Sequence, residues 1–143
     1  MTVLELPPTT ESVPTARRFV RDLMRDSDTV ADVDTASLLV TEIVTNAVLH
    51  ALTPMTVRVQ VGAETVRIEV QDGSVLPPRV HAFSPSAATG RGLRLLQSLA
   101  MRWGVRPEPP TGKVVWFEVG AGSDAAWDLS AGDWLGEDVP GDF

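Results

Sequence analysis

The sequence predicts an α+β fold: a two-layer α/β sandwich built on a mixed sheet, with its helices on one face. Three observations predict it. Residues 55–61 and 66–71 alternate strictly between apolar and polar side chains, so each strand has one buried and one wet face. Residues 36–52 are apolar around most of a helical circumference, which places that helix in the core. The chain has 143 residues, the size of one ordinary domain, and a core at this length buries roughly 68–70% of the unfolded surface.

Taken in order, residues 2–6 read as a short edge strand, stopped by Pro7 and Pro8. Ser12 is placed to cap a first helix, in which Val13, Ala16, Phe19, Val20, Leu23 and Met24 recur at helical spacing. Arg17, Arg18, Arg21 and Arg25 fall outside that stripe. Asp32 or Asp34 caps a second helix that runs to about Leu52, where Thr53-Pro54 ends it. The two alternating strands follow, joined through Gly62-Ala63-Glu64 as a hairpin. Residues 72–91 carry Gly73, Pro77, Pro78, Pro85 and Gly90 with no periodicity, and a loop of that length is usually functional or disordered. A short helix from Leu93 to about Met101 precedes two more strands, at about 102–106 and 113–119, with a turn over 107–112. The domain therefore occupies residues 1–120, and 121–143 form an acidic, tryptophan-containing tail.

Composition narrows the chemistry. The chain contains no cysteine, which excludes disulfides, thiolate metal sites and cysteine nucleophiles. With two histidines, His50 and His81, it cannot build a three-histidine metal site. A net charge of −7 argues against binding nucleic acid. Six of the acids lie in residues 121–143, which carry no base, so the body is nearly neutral. The tail also holds Trp127 and Trp134, which can dock near the arginines of the first helix or stay solvated. No apolar run is long enough to span a membrane, no signal peptide is visible, and a cytoplasmic protein is expected.

Three features bear on function. Glu42, Asn46 and His50 stand at i, i+4 and i+8 of the second helix, a polar stripe rising about 12 Å. Such a stripe is either a solvent-facing seam or a cavity wall with a carboxylate base and a carboxamide oxygen suited to a hard cation. Asp72-Gly73 directly follows a strand and is either an ordinary turn or a carboxylate fixed at a pocket mouth. Gly90-Arg91-Gly92 opens a helix, where backbone N–H groups can approach a phosphate. No P-loop is present, and a third glycine of a dinucleotide fingerprint would fall at Leu95.

In this order, Glu42-Ile-Val-Thr-Asn46-Ala-Val-Leu-His50-Ala51, Val70-Gln-Asp72-Gly73-Ser74 and Gly90-Arg-Gly92-Leu-Arg-Leu-Leu resemble the N, G1 and G2 boxes of the histidine-kinase-like (GHKL) ATPases. The likeness is strongest to the anti-sigma-factor serine kinases of bacterial partner-switching systems, and the segments 99–105 and 112–117 extend it. The resemblance implies that Glu42 polarises the attacking hydroxyl of a protein serine and that Asn46 holds Mg²⁺. It implies that Asp72, with Gly73, binds the adenine of ATP. Gly90, Arg91, Gly92 and Leu93 would belong to the phosphate-covering lid, with Arg91 neutralising charge. His50 matches a position near the nucleotide and serves equally as a hydrogen-bonded structural histidine. The chain departs from the G1 pattern Asp-x-Gly-x-Gly, having Ser74 and Leu76 in place of the glycines.

The function expected is therefore an ATP–Mg²⁺-binding, anti-sigma-factor-type serine/threonine kinase. Its protein partners would be a sigma factor and an anti-sigma-factor antagonist, and the resemblance implies a homodimer. The alternative is a nucleotide-dependent module that sequesters partners without transferring phosphate, and a third option keeps the fold without the nucleotide.

Overall fold

A computed structural model describes residues 1–74, 94–109 and 112–122. The lid residues Gly90, Arg91, Gly92 and Leu93, the 75–89 loop and the tail from 123 onward lie outside the described residues. Strand β1 (Thr2–Leu6) leads into helix α1 (Ser12–Arg25) and helix α2 (Val33–Asn46). A π-helical turn, Ala47–Ala51, extends α2, and the hairpin β2 (Met55–Val61) and β3 (Val66–Asp72) follows. A short helix at 94–99 precedes β4 (Arg102–Pro107) and β5 (Lys113–Val119).

The five strands form one sheet in the order β1-β2-β3-β5-β4. All of its pairings are antiparallel, where the sequence reading expected a mixed sheet. The reason is topological. β3 is followed in the sheet by β5, which runs back along β4, so each neighbour runs opposite. Period-2 alternation puts Val57, Val59, Val66, Ile68, Val70, Val115 and Phe117 on one face, all buried. Onto that face pack α1, through Ala16, Val20 and Met24, and α2, through Leu39, Val40, Ile43 and Val44.

Local chemistry sets the helix ends. Asp32 caps α2, its Oδ1 accepting from the N–H groups of Asp34 at 3.1 Å and Thr35 at 3.4 Å. Asp34 instead pairs with Arg21 across the two helices at 3.2 Å. Ser12 is not a cap. It is the first helical residue, and its hydroxyl donates to the Pro7 carbonyl at 2.6 Å, tying α1 to the end of β1. The hairpin turn takes Gly62–Thr65 rather than three residues, with Gly62 N donating to Thr65 O at 2.8 Å.

The face of the sheet away from the helices is more organised than a wet face. Arg67 lies 4.2 Å from the centre of the Trp116 ring and donates to Glu69 at 3.0 Å and to Glu118 at 2.9 Å. Glu118 also accepts from Arg102 at 2.6 Å. Burial alone would lower the Arg67 pKa, but the hydrogen bonds it donates to Glu69 and Glu118, with their negative charges, outweigh it and raise the value above the ordinary one. Burial alone would likewise raise the Glu118 pKa, and the bonds from Arg102 and Arg67 hold it below the usual carboxylate range instead. The Trp116 indole lies directly over Gly104, where a Cβ would stand 2.8 Å from its ring nitrogen.

Candidate functional site

The stripe predicted on the second helix is real but not straight. Glu42 is buried at 8% exposure on α2, and Asn46 closes the helix one turn later. Thr41 and Thr45 each donate a hydroxyl to the carbonyl four residues back, at 2.7 and 2.6 Å, a habit that bends helices. The helix then widens into the π-turn, with Leu52 N donating to Ala47 O at 3.3 Å, five residues back. Single π-turns of this kind cluster at functional sites. His50 sits inside the wider turn, half-buried, so it is rotated from the line that a regular helix would give it. Leu52 ends the turn in the left-handed region at φ 57°.

Asn46 carries the decisive polar feature of this stretch. Its Oδ1 is buried and has no hydrogen-bond partner among the described residues. Leaving such an acceptor unpaired costs about 1–3 kcal/mol, so its retention calls for an explanation. A carboxamide oxygen is a good ligand for Mg²⁺, which keeps several waters and needs one or two protein donors. Among the described residues no group of three or more acidic or histidine side chains could hold a metal. The orphaned Asn46 Oδ1 therefore fits a hard cation such as Mg²⁺, and it is the atom that would hold one.

Asp72 terminates β3, with only 4% of its side chain exposed. Its Oδ1 accepts from Ser74 N at 2.8 Å, closing a local turn, and Gly73 N donates to Thr53 Oγ1 at 2.8 Å. The second bond joins the loop after the π-turn to the loop after β3. It thereby brings the C-terminal ends of α2 and β3 to the same end of the molecule. The N-terminal end of β5 closes the group. Lys113 lies directly across from Asp72 in the sheet, with Nζ 3.0 Å from Oδ2 and 3.1 Å from Oδ1.

Sequence reasoning missed two residues here. Lys113 reads as one more polar position at a strand start, and only the strand order sets it against Asp72. Gly112 reads as a turn glycine. In the structure its φ of +110° and a would-be Cβ 2.4 Å from the Asp72 carbonyl oxygen leave no room for a side chain.

A carboxylate and an orphaned carboxamide on the apolar helix, with an aspartate at the end of the neighbouring strand, sit in chain order on a helix-covered antiparallel sheet. The family model for the histidine kinase-like ATPase domain matches residues 6–119, well over half of the chain. This chain belongs to that family. The helix-covered sheet is consistent with the architecture of that family. A comparison of the sequence with curated proteins finds no match. Among the described residues of this histidine kinase-like domain, no helix is long and apolar enough to cross a membrane.

Proposed function

We propose that the chain is an ATP–Mg²⁺-binding regulator of the anti-sigma-factor type, which phosphorylates a serine or threonine on an antagonist protein. The observation that carries the reading is the orphaned Asn46 Oδ1, one helical turn beyond the buried Glu42, within a chain of the histidine kinase-like ATPase family. Asn46 would hold Mg²⁺, which when bound draws negative charge from the phosphate oxygens. Asp72 would accept a hydrogen bond from the adenine amino group. Glu42 would take the proton of the incoming hydroxyl as the hydroxyl oxygen bonds to the γ-phosphorus and the bond to the ADP oxygen breaks. The lid role assigned to Gly90, Arg91, Gly92 and Leu93, and the place of His50 beside the nucleotide, belong to the same reading. So do a sigma factor and its antagonist as partners, a homodimer and a cytoplasmic setting.

A second reading, a nucleotide-dependent module that sequesters partners without phosphotransfer, is favoured by Ser74 and Leu76 standing where the G1 pattern has glycines. One experiment separates the two. The protein is incubated with labelled ATP, Mg²⁺ and a candidate antagonist, alongside Glu42→Gln. The kinase reading expects label on the antagonist, reduced in the variant by on the order of 10²–10⁴ while nucleotide affinity holds. Nucleotide-dependent partner binding with no transfer by the native protein selects the module instead.

A further inference from the structure

The Asp72–Lys113 pair is unlike the other ion pairs of the described residues. Its two side chains are 4% and 13% exposed, whereas each other pair includes a partner at least 28% exposed. Burying two charges is costly, and apolar residues of similar volume usually serve stability as well or better. The position is also held by construction: Gly112 presses the β5 turn onto the Asp72 backbone, and the antiparallel register sets Lys113 directly opposite.

Counting donors and acceptors shows what the pair offers to a ligand. A carboxylate has about four acceptor sites. Oδ1 takes Ser74 N–H and Lys113, whereas Oδ2 takes Lys113 and keeps acceptor capacity among the described residues. The ammonium has three donors and spans both oxygens with two. The pair thus presents one acceptor and one charged donor side by side at the end of the sheet. The complementary ligand edge has a donor beside an acceptor, as an amino group has beside an adjacent ring nitrogen.

We propose that Lys113 is a second base-reading group, donating from Nζ to the ring nitrogen next to the amino group that Asp72 accepts from. This rests on the reading in which Asp72 receives the adenine of the nucleotide. Lys113 then determines specificity as well as holding the Asp72 carboxylate in place through contacts to both of its oxygens. A hydrogen bond from a charged donor to a buried acceptor should be worth on the order of 10- to 100-fold in affinity.

The test compares ADP with 1-deaza-ADP, which keeps the amino group and replaces the ring nitrogen by C–H. Both are titrated calorimetrically into the native full chain and into Lys113→Met. The native protein should lose at least tenfold on 1-deaza-ADP, and the loss should shrink to about twofold in the variant. Should Lys113→Met fail to fold, Lys113→Gln serves: it keeps a donor for Asp72 but is uncharged and one bond shorter, and its discrimination must fall below the native value. Equal native affinity for the two nucleotides overturns the role of Lys113 and leaves ATP binding standing. Undiminished discrimination in the folded variant overturns it as well, because another group then reads the nitrogen. Absence of ADP binding to the native protein removes this inference and the proposed function together.

Discussion

Gly112→Ala tests the geometry on which the candidate site depends, without any assumption about ligands. The residue sits at φ +110°, a region that L-residues rarely occupy, and forcing alanine there costs about 1–3 kcal/mol in backbone strain. The new methyl would also stand 2.4 Å from the Asp72 carbonyl oxygen and 3.3 Å from the Gly73 Cα. Both neighbours are backbone, so neither can swing away as a side-chain end would. Relief requires the start of β5 to lift from the end of β3, where Asp72 pairs with Lys113. Overpacking of this kind adds about 1–3 kcal/mol, for a total of about 2–6 kcal/mol. At roughly 3–6 °C per kcal/mol for a body of this size, the melting temperature should fall by at least about 6 °C. Calorimetric melts and urea titrations of the two proteins measure it. A variant within about 0.5 kcal/mol of the native protein would refute the placement of this turn against Asp72, and with it the closure of the site by β5.

Asn46→Ala removes a buried acceptor that has no partner among the described residues, so stability should hold or rise by up to about 1 kcal/mol while Mg²⁺-dependent nucleotide affinity falls. Parallel melts and titrations with and without Mg²⁺ check both halves, and a clear loss of stability would show that the oxygen is satisfied. Leu52→Gly relieves a left-handed leucine that is 70% exposed and should stabilise the chain by up to about 1 kcal/mol, read as a higher urea midpoint. Glu118 has a folded pKa below the ordinary 4.5, so its contribution is complete at neutral pH and is lost as the pH falls from about that value through the depressed one. Glu118→Gln should therefore cost about 1–3 kcal/mol at pH 7, with the gap to the native protein closing in acid. A gap that stays constant down to pH 2 would dissociate it from the carboxylate.

Much of this molecule is legible in its sequence, because several of its choices are made over a few neighbouring residues. Alternation across Met55–Val61 and Val66–Asp72 reports a strand with one buried face, and the observed strands have those bounds. Asp32 caps α2 because its side chain need reach only two and three residues ahead. The Glu42–Asn46 spacing is one helical turn, so their shared face follows from the helix alone.

What the tertiary structure decided involves residues that no local rule connects. The sequence reading treated the second helix as regular to Leu52, but the chain takes an i to i+5 bond at Ala47. That widening shifts His50 off the stripe, and the segment after it is tied to the end of β3 by the Gly73–Thr53 bond. The outer face reads as wet from its arginines and glutamates, yet Val114 and Glu69 on it are buried, and Arg67 is held between Trp116, Glu69 and Glu118. Pairing Asp72 with Lys113 spans 41 residues and depends on β5, not β4, lying beside β3. Alternation tells each strand which face to bury and is silent on which strand will be its neighbour. That order is settled only when the strands and the helices that cover their apolar faces pack together, and the partner of the site aspartate is settled with it.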